Sequence, residues 1–321
     1  MSFSVQGILR ALTVATAAFA ATPALAQMEL KIIAPAAPGG GWDQTARSMQ
    51  QAMVASGAAK SAQVTNIPGA GGTVGLAQFV NTAKGDGNTL MVNGFVMVGA
   101  ILTNKSPVNL DQVTPIAKLT EEMQIIVVPA NSPIKTAKDL ADAVKKDVSK
   151  VTFAGGSAGG VDHIMAALFI GSSGADASKV NYVPFSGGGE SLAAIIGGKV
   201  TAGISGYAEY EGQIKAGRLR AIGITSAERR PGIAVPTFKE QGIDLVITNW
   251  RSVVAGPGIN DAQKKALTDA VDRMVKSNAW KEVLKQKGWD DAFVSGDAFA
   301  KFLKDEQTRV RKVLADVGLV K

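Results

Sequence analysis

Short apolar runs rich in β-branched residues alternate with helical patterns along almost the whole chain after residue 27. Apolar residues recur at helical spacing in the segment that contains Trp42, Ala46, Met49 and Met53. Candidate strands cover residues 30–34, 63–66, 89–93, 125–128, 150–154, 180–184, 200–204, 219–225 and 245–255. Strands that alternate with helices predict an α/β fold with largely parallel sheets and ligand sites at the carboxyl ends of strands.

The alternation of strands and helices occurs twice along the chain, and no disordered linker separates the two occurrences. It predicts two lobes joined by strands that cross near residues 124–129 and 247–253. The first predicted lobe contains residues 27–126 and 249–321, and the second contains residues 127–248. A length of 321 residues fits two domains of ordinary size.

Residues 1–26 have the pattern of a secretory signal peptide. Arg10 is their only charge, residues 11–21 are weakly apolar, and Ala24-Leu25-Ala26 is an A-x-A cleavage signal. The alternative, a membrane anchor, needs about 20 apolar residues. We therefore predict cleavage after Ala26 and export of the mature chain.

Composition excludes several classes of site. The chain has no cysteine and only one histidine, so disulfides, thiol nucleophiles, Cys-based zinc sites and sites with two imidazoles are excluded. Without Arg10 the mature chain has 33 basic and 27 acidic residues, a formal charge of +6. The basic residues are scattered, which argues against nucleic-acid binding and is compatible with a small anionic ligand. We predict no metal and no cofactor.

Glycine-rich corners are the most informative feature of the sequence. They occupy residues 38–43, 68–73, 155–160, 186–190 and 203–206, each after a predicted strand. A helix N-terminus has unpaired N–H groups and a partial positive charge, and glycine lets an anionic oxygen approach them. One such corner is usually a tight turn, but five in one chain favour a shared site that binds carboxylates through the backbone.

Nucleotide and catalytic motifs are mostly absent. The G-x-G-x-x-G pattern that would start at Gly69 meets Val74 where the third glycine belongs, and no P-loop occurs. Residues 155–159 match G-x-S-x-G, so a secreted serine hydrolase with Ser157 as nucleophile is the alternative function. Its base would be His163, six residues later in the same predicted helix. That spacing places His163 about 240° around the helix from the serine.

Several charged residues allow two roles each. Asp43 and Glu190 lie at predicted helix starts, where a carboxylate can cap N–H groups or contact a ligand. Asp162 and His163 form either a buried structural pair or a ligand contact. Arg251, on a predicted crossing strand, either makes a salt bridge or reaches a carboxylate.

Residues 34–47 (APAAPGGGWDQTAR) resemble the opening of the periplasmic receptors of tripartite tricarboxylate transporters, the Bug-type receptors. Residues 66–75 (NIPGAGGTVG), 182–185 (YVPF), 217–221 (GRLRA) and 236–242 (PTFKEQG) add to the resemblance. Together these segments span essentially the whole mature chain.

This resemblance implies a two-lobed periplasmic binding protein of the Venus-flytrap type, with a mixed, mostly parallel sheet in each lobe and no catalysis. It implies a monomer that delivers a carboxylated solute to a permease with one large and one small membrane subunit. The matching motifs imply that one carboxylate of the ligand is bound by Ala37, Pro38, Gly39 and Gly40 and by Gly71 and Gly72. Gly156, Ser157, Gly159 and Gly160 close over it from the second lobe.

Residues 185–190 (FSGGGE), with Asp162-His163 and Asn249-Trp250-Arg251, resemble the tricarboxylate-binding branch of that family. The resemblance therefore favours a di- or tricarboxylate ligand of the citrate type. The candidate ligand-binding residues are Ala37, Pro38, Gly39, Gly40, Asp43, Gly71, Gly72, Gly156, Ser157, Gly159, Gly160, Asp162, His163, Ser186, Gly188, Ser205 and Arg251.

Overall fold

A computed structural model describes residues 28–185 and 188–320. The predicted signal peptide and its cleavage site lie outside these residues. The strands are β1 (Glu29–Ala34), β2 (Ser61–Asn66), β3 (Thr89–Gly94), β4 (Thr114–Pro129), β5 (Thr152–Gly155), β6 (Asn181–Pro184), β7 (Ala202–Gly206), β8 (Leu219–Ile224), β9 (Thr248–Ala255) and β10 (Asp290–Ser295). The helices are α1 (Gly41–Ala55), α2 (Thr73–Thr82), α3 (Phe95–Thr103), α4 (Ala137–Lys146), α5 (Val161–Ser172), α6 (Gly188–Ile196), α7 (Tyr207–Lys215), α8 (Asp261–Lys276), α9 (Asn278–Lys287) and α10 (Gly296–Asp316).

The apolar face of α1 is part of the main hydrophobic core. Its predicted stripe of Trp42, Ala46, Met49 and Met53 is buried there. Burial of such a face, rather than helix propensity, supplies most of the stability of a helix in a folded protein. The core-facing stripe therefore fixes the direction in which the N-terminus of α1 points.

The strands form one mixed sheet, in the order β2-β1-β3-β9-β4-β7-β5-β6, while β8 and β10 also pair with β4. β1 pairs in parallel with β2 and β3, and β5 pairs in parallel with β6 and β7. The pairs that include β4 or β9 are antiparallel. The predicted α/β fold with a mixed sheet is confirmed, but the expected parallel majority is wrong: of the strand pairs in the described residues, four are parallel and five are antiparallel, because every pair of the central strands β4 and β9 is antiparallel.

Strand β4 connects the two parallel groups. Its residues from Thr114 to Met123 pair with β9, and those from Gln124 to Pro129 pair with β7 and β8. The apolar pattern predicted only 125–128 of this strand, because charged residues such as Lys118 and Glu122 interrupt the rest. Strand β10 was missed for the same reason, since it begins with two aspartates.

The main core contains side chains from both predicted lobes, such as Leu30 of β1 and Phe153 of β5. A smaller core lies around Ile125 and Val127 of β4 and Tyr210 of α7. The boundaries of the two lobes stay a prediction. None of the helices in the described part of the chain combines the length and the apolar character needed to cross a bilayer.

Candidate functional site

Loops at the carboxyl ends of the strands surround a cavity of about 490 Å³. The glycine-rich loops after β1, β2 and β5 all contribute to it, as do β4, β7 and β9. Its lining residues are Pro35, Ala36, Ala37, Gly40, Gly41, Trp42, Pro68, Gly69, Ala70, Gly71, Gly72, Val96, Gln124, Gly155, Gly156, Ser157, Val161, Asp162, Phe185, Ser191, Ile204, Ser205, Gly206, Glu209, Asn249 and Arg251. This volume suits a small organic ligand.

Asp43 does not line the cavity but holds the loop between β1 and α1 in place. Its carboxylate accepts the Gly39 N–H at 2.8 Å, the Asn66 Nδ2 at 2.8 Å and the Arg47 Nε at 3.0 Å. Burial raises the pKa of Asp43, but the hydrogen bonds from Arg47, Gly39 and Asn66 outweigh it, so this pKa lies below its ordinary value. Asn66 also donates to the Ala36 carbonyl at 3.0 Å. The carboxylate therefore shapes the loop that lines the cavity.

The N-terminus of α1 presents free donors to the cavity. The helix begins at Gly41, and no acceptor among the described residues receives the N–H groups of Gly41 and Trp42. The guanidinium of Arg251 lies against this end, because a Cβ added at Gly41 would be 2.8 Å from Arg251 Nη2. A helix N-terminus next to a guanidinium group is an electropositive site that suits a carboxylate.

Arg251 is held by a buried ion pair across β9 and β4. Its Nη2 donates to Glu122 Oε1, Asn249 Nδ2 donates to the same oxygen at 3.3 Å, and both charged side chains are 4% exposed. The guanidinium also lies 4.9 Å from the ring centre of Trp289, in cation–π geometry. Its Nη1 has no partner among the described residues. One charged donor of a fixed guanidinium group is therefore unsatisfied within the described residues.

Three side chains fix the loop between β5 and α5. Asp162 Oδ2 accepts the Gly156 N–H at 2.7 Å, and His163 Nδ1 accepts the Gly159 N–H at 3.1 Å. The Tyr182 hydroxyl donates to the Gly156 carbonyl at 2.8 Å. The rings of His163 and Tyr182 stack with their centres 4.3 Å apart. These bonds hold Gly156 in the cavity wall.

The alternative of a serine hydrolase finds no support in the geometry around Ser157. Burial lowers the pKa of His163 to about 4, and its Nδ1 is taken by the Gly159 N–H. Within the described residues, no hydrogen bond joins His163 to Ser157. A general base must lie within hydrogen-bond reach of its nucleophile, so this pair is not arranged as a catalytic dyad.

Two acidic side chains line the wall on the side of β5 and β7. Burial raises the pKa of Asp162 to about 7; the Gly156 N–H opposes this rise, while the Glu209 and Glu122 carboxylates add to it. Burial also raises the pKa of Glu209, as does Glu122. One oxygen of Glu209 accepts the Ser205 hydroxyl at 2.9 Å. The cavity is thus electropositive at α1 and acidic at Asp162 and Glu209.

We expect Asp162→Asn to stabilise the protein at alkaline pH. The ordinary pKa of this carboxyl is 3.8, whereas the folded chain keeps the proton up to about pH 7. The wild type therefore loses stability as the pH rises between these values, and the full cost remains at higher pH. Asparagine cannot ionise and still accepts the Gly156 N–H. Chemical denaturation at about pH 8 should show a gain of about 1–3 kcal/mol, and none at about pH 4.

The matched control for this experiment is Asp244→Asn, at an exposed position. We expect it to change the free energy of unfolding little at either pH. A loss of stability in Asp162→Asn that is equal at both pH values would show that the charge of Asp162 carries no cost in the folded state.

The structure brings together many of the predicted site residues but not all. On the cavity wall are Ala37, Gly40, Gly71, Gly72, Gly156, Ser157, Asp162, Ser205 and Arg251. The described residues that do not line the cavity are Pro38, Gly39, Asp43, Gly159, Gly160 and His163, and the surroundings of Gly188 lie outside the described part of the structure. Ser186 lies outside the described residues. The assignment of ligand contacts to these residues stays a prediction.

Sequence reasoning missed several lining residues. Trp42 was interpreted only as core, and Gln124, Glu209, Ser191 and Phe185 were not proposed as contacts. Gln124 could have been noticed, because it is a lone amide beside the apolar run of residues 125–128. Glu209 comes three residues after the glycine-rich corner at 203–206, so its place near a predicted helix start could have indicated it.

Comparisons with known proteins agree with the resemblance. The sequence model of a family described as the tripartite tricarboxylate transporter family receptor matches residues 45–319. The chain is 27% identical to the protein BugT of Bordetella pertussis over 295 residues, which cover 90% of this chain and 89% of BugT.

Solved structures show the same fold. The periplasmic binding protein BugD has a TM-score of 0.81 at 22% identity, and the match covers 92% of this chain and 99% of BugD. MatC from Rhodopseudomonas palustris with bound malate has a TM-score of 0.76 at 24% identity, covering 89% of this chain and 99% of MatC.

Proposed function

Because the chain belongs to the family of tripartite tricarboxylate transporter receptors, we propose that it captures a di- or tricarboxylate and delivers it to the membrane permease of such a transporter. Family membership confirms the resemblance to the Bug-type receptors that the sequence shows. It identifies the protein as a periplasmic solute-binding receptor and not an enzyme. The citrate-like ligand, the large and small permease subunits, the monomeric state and the processing after Ala26 belong to the proposal.

One observation carries the choice of an anionic ligand. Gly41 and Trp42 line the cavity, and their N–H groups have no acceptor among the described residues. Arg251 lies in the same wall, and its Nη1 is also without a partner there. Buried donors without acceptors are rare in folded proteins. A carboxylate there would accept charge-assisted hydrogen bonds from the guanidinium group and would sit at the positive end of the helix.

The cavity has room for more than one carboxylate, since it also includes the loops with Gly71 and Gly156. The bound malate in MatC supports a ligand of this kind. We propose that the two predicted lobes close over the ligand and shield these donors from water. Hydrogen bonds to a charged group are stronger in such a shielded site than in water.

A test of the proposal combines a ligand panel with Gly40→Val. Thermal unfolding of the wild type is measured with citrate, tricarballylate, malate, succinate and terephthalate. We expect at least one to raise the Tm in a concentration-dependent way. The isopropyl group of Gly40→Val would stand in the cavity, and a Cβ there lies 3.2 Å from the Ala37 carbonyl oxygen, so a small shift accommodates it. The ligand-induced rise in Tm should fall by at least half.

The matched control is Gly212→Val in α7, where a Cβ meets no atom within 4 Å. We expect this control to keep the full ligand response. The proposal is wrong if no carboxylate raises the Tm of the wild type, and the α1 corner is not the site if Gly40→Val responds like the control.

A further inference from the structure

The wall of the cavity around Asp162 and Glu209 is rich in hydrogen-bond acceptors. One oxygen of Asp162 accepts the Gly156 N–H, and one oxygen of Glu209 accepts the Ser205 hydroxyl. The second oxygen of each carboxylate receives no donor from the described residues. Both side chains line the cavity. Two acceptor oxygens are therefore available to whatever fills it.

Among the described lining residues, no basic side chain pairs with these carboxylates, and Arg251 lowers their pKa values only from a distance. Arg251 is the basic residue of this lining, and it is already paired with Glu122. Within the described part of the chain, each carboxylate has a donor on one oxygen only, and burial, the largest cause of the raised pKa values of Asp162 and Glu209, makes their charge costly. Where these groups are ionised, above about pH 7 for Asp162, a further ligand carboxylate placed beside them would add repulsion.

Gln124 supplies a second, independent observation. Its side chain is fully buried and lines the cavity, yet none of the described residues makes a hydrogen bond to its Oε1 or Nε2. Gln124 lies on β4 and pairs with Gly206 of β7. Gly206 directly precedes α7, the helix that carries Glu209. A buried amide without partners is unusual and indicates a polar group of a ligand.

We propose that Gln124, Asp162 and Glu209 form a subsite for a hydrogen-bond donor on the carbon chain of the ligand, an ammonium or a hydroxyl group. This inference rests on the proposed function, since it takes a carboxylate at α1 as given. Hydroxy- and amino-carboxylates are then preferred over the plain carboxylates of equal length.

A proton-bearing group fits this subsite better than a metal ion does. Within the described residues, no group of three or more His, Asp and Glu side chains is placed to hold a metal. A hydroxyl group donates one hydrogen bond and an ammonium group up to three, and the free oxygens of Asp162 and Glu209 and the Oε1 of Gln124 are acceptors for them.

Matched ligands test the inference in the purified protein by isothermal titration calorimetry at about pH 8, where Asp162 is ionised. Succinate is compared with malate and aspartate, which add a hydroxyl and an ammonium group to the same chain. Tricarballylate is compared with citrate. We expect at least one donor-bearing ligand in each set to bind at least fivefold more tightly than its parent, as one hydrogen bond supplies. The malate and aspartate arms distinguish which donor the subsite takes.

The double variant Asp162→Asn/Glu209→Gln tests the assignment to these residues. Each amide can keep the acceptor oxygen that Gly156 or Ser205 uses and then places an NH2 group where the free oxygen was. The preference for a donor should fall below twofold, while succinate binds as tightly as before or more tightly. Glu211→Gln on the same helix is the control, because Glu211 pairs with Lys215 at 2.8 Å outside the cavity. It should keep the preference.

The outcomes separate this inference from the proposed function. If succinate binds as tightly as malate and aspartate, and tricarballylate as tightly as citrate, the protein is still a carboxylate receptor but the donor subsite is wrong. The subsite is also wrong if the preference survives in the double variant. If none of the five ligands binds the wild type, the proposed function fails, and the inference fails with it.

Discussion

Replacing Arg251 by methionine is expected to lower the free energy of unfolding by about 3–5 kcal/mol. The substitution removes the partner of Glu122, whose side chain is 4% exposed. A buried carboxylate left without its cation bears the full cost of its lost hydration. Methionine keeps much of the length of the side chain beside Trp289, so the loss reports mainly on charge. Urea denaturation monitored by tryptophan fluorescence measures it.

The double variant Glu122→Gln/Arg251→Met separates stability from binding. Since it removes both charges, we expect it to recover most of the lost free energy of unfolding. Its affinity for a carboxylate should nevertheless stay at least tenfold below that of the wild type, because the free Nη1 donor is gone. Wild-type affinity in the double variant would mean that Arg251 only holds β9 against β4 and does not contact the ligand.

The elements that form the cavity were largely predictable from local patterns. The glycine corners at Gly40, Gly71 and Gly156 follow short apolar strands, and parallel strands bring their carboxyl ends to the same edge of a sheet. Such corners are encoded by a few adjacent residues. A reader of the sequence can therefore place them without knowing which strands are neighbours.

The polar side chains of the site were harder to predict. Glu122 meets Arg251 across 129 positions of sequence, and Gln124 meets the cavity only because β4 pairs with β9 and then with β7. Their strand is interrupted by charged residues, so the apolar alternation that indicates a strand is lost over residues 114–124. The charged residues of β4 therefore hide the sequence pattern of a strand at the positions that supply polar side chains to the cavity.

Asp43 and His163 each hold a loop in place in the structure. The sequence alone could not distinguish this role from contact with a ligand. Both accept N–H groups of the loop residues that precede their helices, Gly39 and Gly159. At a helix start, a side chain that caps a loop and one that reaches a ligand have the same sequence pattern. Only the direction of the side chain distinguishes them.

Replacing Gly99 by alanine is expected to weaken carboxylate binding by about 5- to 150-fold. Gly99 lies in α3, in the first predicted lobe, and faces the loop between β5 and α5, in the second. A Cβ there would be 1.8 Å from the Gly159 carbonyl oxygen, far inside contact distance. The methyl group must push α3 and the loop apart, at about the 1–3 kcal/mol that overpacking costs. Calorimetric titration with the tightest ligand of the panel measures the loss.

Gly171→Ala in α5 is the matched control, because its Cβ would meet only the Ala177 Cβ at an ordinary 3.7 Å. It should keep the wild-type affinity and gain about 0.5–1 kcal/mol in stability, as alanine does in a helix. The decisive comparison is between affinity and stability in Gly99→Ala. If the contact forms only when the lobes close, affinity falls while the free energy of unfolding of the ligand-free protein changes little. If stability falls by the same amount and affinity does not, α3 and the loop stay packed together in the absence of ligand, and closure happens elsewhere.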